Sequence, residues 1–284
     1  MTESGPASRW NEALAPGPGK PVVSSARDSP QLAALYDEVG VRQFEQGKRL
    51  IAALDISLGQ RVLDVGVGTG RLAIHVAELV GPSGHVVGID PLPSRIEIAR
   101  SKACENFAAR VGRGEDLSEF ADASFDVVYL NSVFHWVEDK PRALAEIFRV
   151  LKADGRLGLN CVDPVRPSEM RLLICRALVE AGLDHRPISS LGLPAAELEA
   201  QVTAAGFVEY AGESRAFVDV FPSVDALMTW VSSSMLGNFL FDVSAADCIR
   251  VRDELARLLE PKHTREGIRL ERHLAFATAR KPRT

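Results

Sequence analysis

The sequence predicts a doubly wound α/β fold, and three observations carry that expectation. Short Val/Ile/Leu-rich runs alternate with helix-length stretches from Arg61 onward, the runs are apolar on both faces, and the first of them enters a glycine turn that opens a helix. Strands buried on both faces and separated by helices imply a parallel sheet covered on two sides.

In chain order, residues 1–30 are rich in Pro, Gly and Ser and lack a sustained apolar period. Such a segment cannot bury enough surface to offset its ordering entropy, and it is expected as a flexible arm. Leu32, Leu35, Val39, Phe44, Leu50, Ile51 and Leu54 fit one or two amphipathic helices, expected as a lid over 31–58. Strands are expected at 61–65, 86–90, 125–130 and 156–160, and helices at 71–80, 94–104 and 140–151. Beyond Asp163 the rhythm turns helical, at 168–181, 195–205, 224–235 and 245–259, with strand-like runs at 217–221 and 273–278. The simplest organisation is one domain over 31–284, with insertions at about 164–205 and 222–262 capping the strand ends where ligands of such sheets bind.

The chain has 284 residues, with 33 Lys and Arg against 38 Asp and Glu, a net charge of −5. The cations are scattered and matched by carboxylates, which argues against nucleic acid as a partner. With 46% hydrophobic and 25% charged residues the composition is that of a globular protein, and no apolar run reaches the ~20 residues of a membrane span. Glu3 and Glu12 stand where a secretory signal would be apolar, so a cytoplasmic location without membrane association is expected. Cys104, Cys161, Cys175 and Cys248 form no Cys-x-x-Cys pair and no metal-ligand spacing with His. They read as reduced, buried thiols, with arsenical or selenium chemistry at Cys161 and Cys175 as the alternative.

The strongest local signal is Val62-Leu63-Asp64-Val65-Gly66-Val67-Gly68-Thr69-Gly70-Arg71. Its glycines permit a sharp turn and close ligand approach, and the new helix presents free N–H groups to an anionic or polar group. A dinucleotide fingerprint places a glycine where Arg71 stands. The next strand ends at Asp90, where a carboxylate beside the glycine turn can accept both hydroxyls of a ribose; the alternative is a cap for the following helix.

These segments resemble the class I S-adenosylmethionine-dependent methyltransferases. The match runs in order through Leu63 to Gly70, Gly88-Ile89-Asp90, Gly114-Glu115-Asp116-Leu117, Ser124 to Val128 and Glu146 to Gly155. The resemblance implies a Rossmann-like, mostly parallel seven-stranded sheet and S-adenosylmethionine as methyl donor, with S-adenosylhomocysteine as product. It places donor contacts at Tyr36, Asp64, Gly66, Gly68, Thr69, Gly70, Asp90, Pro91, Arg95, Gly114, Glu115, Asp116 and Asn131. Within the family the chain is similar to the trans-aconitate and malonyl-carrier carboxyl methyltransferases, through Asn131-Ser132-Val133-Phe134-His135-Trp136 and Leu35-Tyr36-Asp37. Three departures stand out. Arg113 replaces the expected adenine acceptor, the segment 234–240 lacks the arginine expected for a tricarboxylate, and Asn131-Ser132-Val133-Phe134 is not the Asn-Pro-Pro-aromatic signature of base methylation.

The expected acceptor is a small, largely apolar organic molecule, and the expected state a monomer or homodimer. His135 is the candidate base or orienting group for it, against the alternative of a packed histidine. Phe221, Met228, Trp230, Met235, Phe239 and Phe241 suggest an apolar acceptor pocket or a dimer interface. Tyr36 and Phe44 are lid candidates or packing residues. A protein of this fold that binds the donor without transferring methyl is the second reading, and a nicotinamide oxidoreductase, disfavoured by Arg71, the third.

Overall fold

The computed structural model describes residues 28–183, 192–233, 240 and 243–283. Residues 1–27 of the arm expected over 1–30, His185, Met235, Phe239, Phe241 and residues 234–239 of the arginine-lacking segment lie outside the described residues, whereas Ser29 and Pro30, expected in the arm, already cap and start a helix. Two helices come first, α1 (Pro30–Val39) and α2 (Val41–Ala53). Ser29 caps α1 by accepting from Leu32 N, with Pro30 at the position where a missing N–H costs nothing.

The alternating part follows as β1 (Arg61–Val65), α3 (Arg71–Val80), β2 (His85–Asp90), α4 (Pro93–Ser101), β3 (Phe107–Val111), β4 (Phe125–Asn131), a short 3-10 turn (Phe134–Trp136), α5 (Lys140–Val150) and β5 (Leu151–Val162). Then come α6 (Glu169–Glu180), α7 (Ala195–Ala204), β6 (Val208–Phe221), α8 (Val224–Ser233), α9 (Ala245–Leu259), β7 (His263–Thr264) and β8 (Gly267–Arg280). The sheet order is β3-β2-β1-β4-β5-β8-β6, with β7 paired to β8. Strands β1 to β5 are parallel and β8 runs antiparallel to β5. This is the mostly parallel doubly wound sheet that the sequence predicts, with the two-residue β7 as an eighth strand beyond the seven expected.

Contacts divide the chain into two compact units. The sheet unit takes Val23–Pro164, Leu191–Arg215 and Leu274–Thr284. On one face of its sheet Leu63, Val65, Val128, Leu130, Leu157 and Leu159 pack against Ala143, Leu144 and Ile147 of α5, with Leu198 and Val202 of α7 in the same cluster. The segment 164–205, expected whole as a cap insertion, is thus divided, and α7 belongs to the sheet's own core. In the other unit, Val165–Ser190 with Ala216–His273, α6, α8 and α9 share a cluster around Ile174, Leu178, Leu227, Val251 and Leu255. Phe221 is buried in that cluster, its ring 6.1 Å from that of Trp230, and Met228 and Trp230 pack against it. Core packing therefore accounts for these three residues, which were expected to line an acceptor pocket or an interface.

Because side chains alternate along a strand, the residues between the core positions share the opposite face. There Asp64 of β1 stands in register with Tyr129 of β4, and Asn131 of β4 with Asn160 of β5. All four belong to the site described next or to its support.

Candidate functional site

The site forms where β1, β2 and β4 end. Gly66 and Gly68 have φ of +84° and +55°, angles that glycine adopts without the steric cost other residues meet. A Cβ on Gly66 would run into the side chain of Val133, so glycine there lets the loop after β4 close on the turn. A Cβ on Gly68 would meet only Tyr36 Cε1, at 3.6 Å, because this residue faces a cleft. Gly70 heads α3 and packs on Ala99 and Phe107, away from that cleft.

Tyr36, Asp64, Gly66, Gly68, Thr69 and Asn131 line the cleft, together with Gln43, Phe44, Arg71 and Leu72. Behind Gly68, the buried Asp90 carboxylate accepts from Gly68 N through Oδ2 and from Leu92 N through Oδ1, both at 3.0 Å. The second bond is the local cap that the sequence offered as an alternative, and each oxygen keeps a lone pair. Burial raises the Asp90 pKa, while Arg95 and the two N–H groups pull it down.

Asp64 is 2% exposed and accepts from Tyr129 Oη at 2.6 Å. Burial, with the nearby Asp90 charge adding to it, pushes its pKa up to about 8 against the Tyr129 hydrogen bond. The Asp90 charge is one reason Asp64 resists ionisation, and a cation placed beside Asp64 would ease it.

The first helix is tied across the cleft. Asp37 of α1 pairs with Lys102 Nζ and lies 4.0 Å from Arg71 Nη2, which donates to Asp37 O, and Lys102 Nζ also donates to Thr69 O at 3.1 Å. Burial opposes ionisation of Asp37, yet Lys102, Thr69 and Arg71 hold its pKa below the usual value. The guanidinium of Arg95 lies 4.1 Å from the centre of the Tyr36 ring, and its Nε is 3.9 Å from Asp28 Oδ1. Nε and Nη2 of Arg95 are buried without a hydrogen-bond partner among the described residues. Pro91 continues the turn made by Asp90 and Leu92.

The carboxylates of the loop after β3 are engaged by backbone N–H groups, one in the same loop and one beyond β4. Glu115 Oε1 accepts from Glu138 N at 3.0 Å, Asp116 Oδ1 accepts from Ser118 N at 3.2 Å, and Gly114 is buried, an added Cβ meeting Val65 Cγ1 at 3.0 Å. His135 is 5% exposed in the 3-10 turn, its ring 4.8 Å from that of Trp136, and its Nδ1 has no hydrogen-bond partner among the described residues. Burial and then the Lys140 charge bring its pKa down to about 3. His135 is therefore uncharged at neutral pH, with the low basicity of a buried imidazole. Cys161 and Cys175 are both buried, and burial pushes the first up to about 12 and raises the second, so neither is poised as a thiolate.

Sequence reasoning missed Tyr129, Asn160 and Lys102, whose partners lie 65, 29 and 65 residues away. Asp37 was visible only as a neighbour of Tyr36.

Residues 63–159 match the family model described as a methyltransferase domain. A nocamycin O-methyltransferase of Saccharothrix syringae is 34% identical over 228 residues, 72% of this chain and 80% of that protein. The chain belongs to the S-adenosylmethionine-dependent methyltransferases. Aklanonic acid methyltransferase of Streptomyces is 33% identical over 171 residues, 57% of this methyltransferase and 77% of that protein. The YcgJ protein of Bacillus subtilis shares the fold, with a TM-score of 0.55 at 22% identity, covering 84% of this methyltransferase and 98% of that chain.

The cleft of the methyltransferase fits a sulfonium donor. Asp64 is compensated by a neutral hydroxyl rather than a cation, Asp90 retains acceptor capacity, and Gly68 leaves room above the turn. Among the described residues no helix is long and apolar enough to cross a membrane, and no group of three or more His, Cys, Asp or Glu could hold a metal ion.

Proposed function

We propose that the methyltransferase holds its donor in this cleft through groups of unlike charge and shape. Asp90 accepts from the ribose hydroxyls, and the glycine turn with Asp64 receives the amino-acid end of the donor. Tyr36 covers the turn, with Thr69 and Asn131 completing the wall. Pro91 and Arg95 lie on the nucleoside side, and the backbone around Gly114 supports the adenine edge, since Glu115 and Asp116 already accept from Glu138 N and Ser118 N. Gly70 contributes by letting α3 start close to α4.

The acceptor, in this reading, is a carboxylate or an equally acidic hydroxyl on a small, otherwise apolar organic molecule. The observation that carries it is the burial of His135, 5% exposed with Nδ1 lacking a hydrogen-bond partner among the described residues, which together with the Lys140 charge brings its pKa down to about 3. The sulfonium donor supplies an already activated methyl group. An acceptor oxygen ionised at neutral pH needs no base, so the protein's work is orientation and exclusion of water. His135 then orients the acceptor rather than deprotonating it. The similarity to carboxyl methyltransferases through Asn131 to Trp136, and a relative named for O-methylation, support the same reading.

Methyl-labelled donor incubated with small carboxylic acids, acidic phenols, neutral alcohols and amines tests the assignment. The expected product is an O-methyl compound formed from the acids, with methyl esters losing their label as methanol in base. Label appearing only in N-methyl or C-methyl products would refute an oxygen acceptor.

A further inference from the structure

Asn160 touches neither the cleft nor any residue that the functional reading uses, except one. It lies on β5, is 0% exposed, and stands in register with Asn131. Its Oδ1 accepts from Ser132 N at 2.6 Å and from Ser132 Oγ at 3.3 Å. Its Nδ2 donates to Asn131 Oδ1 at 2.7 Å, and Asn131 Nδ2 donates in turn to Gln43 O of α2 at 3.0 Å. The two ends of this chain are backbone groups of fixed polarity. Ser132 N–H can only donate, which sets Asn160 Oδ1; Gln43 C=O can only accept, which sets Asn131 Nδ2. Both carboxamides are thereby held in one orientation, and the chain links β5, β4 and the helix over the cleft.

Two further features depend on this arrangement. Ser132 has φ +59°, and the bonds from Asn160 hold the chain in that left-handed turn as it leaves β4 toward His135. Gly47 of α2 sits so close that a Cβ would lie 2.8 Å from Asn131 Nδ2. Helix α2 thus approaches to the distance at which the Asn131–Gln43 bond forms.

We infer that Asn160 is a positioning residue for the methyl donor. It acts through Asn131, fixing which end of that carboxamide faces the cleft and tying α2 to it, and through Ser132 it fixes the start of the acceptor-side loop. This rests on the reading of Asn131 as part of the donor wall.

The test is a double-mutant cycle read by calorimetric titration with S-adenosylhomocysteine, with thermal unfolding of each variant alongside. Asn160→Ala is expected to weaken binding about five- to tenfold, the scale of one or two lost hydrogen bonds. In an Asn131→Ala background the same change should cost under about twofold, because the group it positions is gone. Asn160→Asp, close in size, supplies a second variant should Asn160→Ala fail to fold. It keeps an acceptor for Ser132 but sets an oxygen against Asn131 Oδ1, so its deficit relative to the parent should shrink toward about pH 5 as a carboxyl proton restores the donor. Unchanged affinity in a folded Asn160→Ala, losses that multiply in the double variant, or a pH-independent deficit in Asn160→Asp would each overturn the inference. Asp90→Ala separates the levels: if it binds like the parent, the donor site itself is misassigned, whereas weak binding there with parental affinity in Asn160→Ala removes only the role of Asn160.

Discussion

Asp64 shows how one residue can couple ligand binding to protons. Its pKa of about 8 reflects burial with only a tyrosine hydroxyl as partner. A cationic donor favours the ionised carboxylate, so binding near pH 7 should release close to one proton. Calorimetry of S-adenosylmethionine in two buffers of different ionisation enthalpy measures it, and equal heats in both would contradict it. The same shift has a consequence for stability. The folded pKa lies above the unfolded value, so the folded state holds the extra proton and the contribution of Asp64 falls as pH rises from about 3.8 to about 8. Asp64→Asn should flatten that part of the urea midpoint against pH, though only in part, because Asp90 and Asp28 shift in the same direction. An unflattened profile would mean that Asp64 titrates normally. His135 carries a third expectation: His135→Ala should lower kcat without moving any ionisation in the pH–rate profile near neutrality, since the imidazole is already neutral there. Loss of a step in that profile would restore the proton-acceptor role.

At the scale of elements, the tether of α1 to the glycine turn is the feature most open to test. Asp37→Ala removes the pairing with Lys102 and Arg71 but spares the cleft wall, so S-adenosylhomocysteine should dissociate faster and bind about three- to tenfold more weakly. An unchanged dissociation rate by stopped flow would show that α1 does not restrain the donor. Gly66→Ala attacks the turn directly, combining a positive φ with collision against Val133. It should cost roughly 2–5 kcal/mol in urea unfolding. The elements framing the turn were legible in the sequence because each obeys its local rule: β1 and α3 have the predicted bounds, and β2 starts one residue earlier. Strand β3 was not, since Phe107-Ala-Ala-Arg-Val111 is a short edge strand with little branched apolar content. The start of β5 was read as the end of α5, although Asp154 turns there at φ +62°.

At the scale of the whole molecule, the order of strands and the donor motif were readable because they depend on contiguous segments and a recurring pattern. What escaped was long-range polar pairing. Nothing local marks Tyr129 as the partner of Asp64, or Asn160 as the support of Asn131, until register brings them level on one face. The apolar stretch from Phe221 to Trp230 misled for the opposite reason: helices packed on one another have the same composition as a pocket wall, and only contacts tell them apart. Donor binding as a whole turns on Asp90 beside the glycine turn. Calorimetric titration of the parent and of Asp90→Ala with S-adenosylhomocysteine tests it most directly. The parent should bind one molecule in the micromolar range, and the variant at least about a hundredfold more weakly, the scale of two charge-assisted hydrogen bonds, while still folded. Parental affinity in the folded variant, or no binding by the parent, would contradict the account.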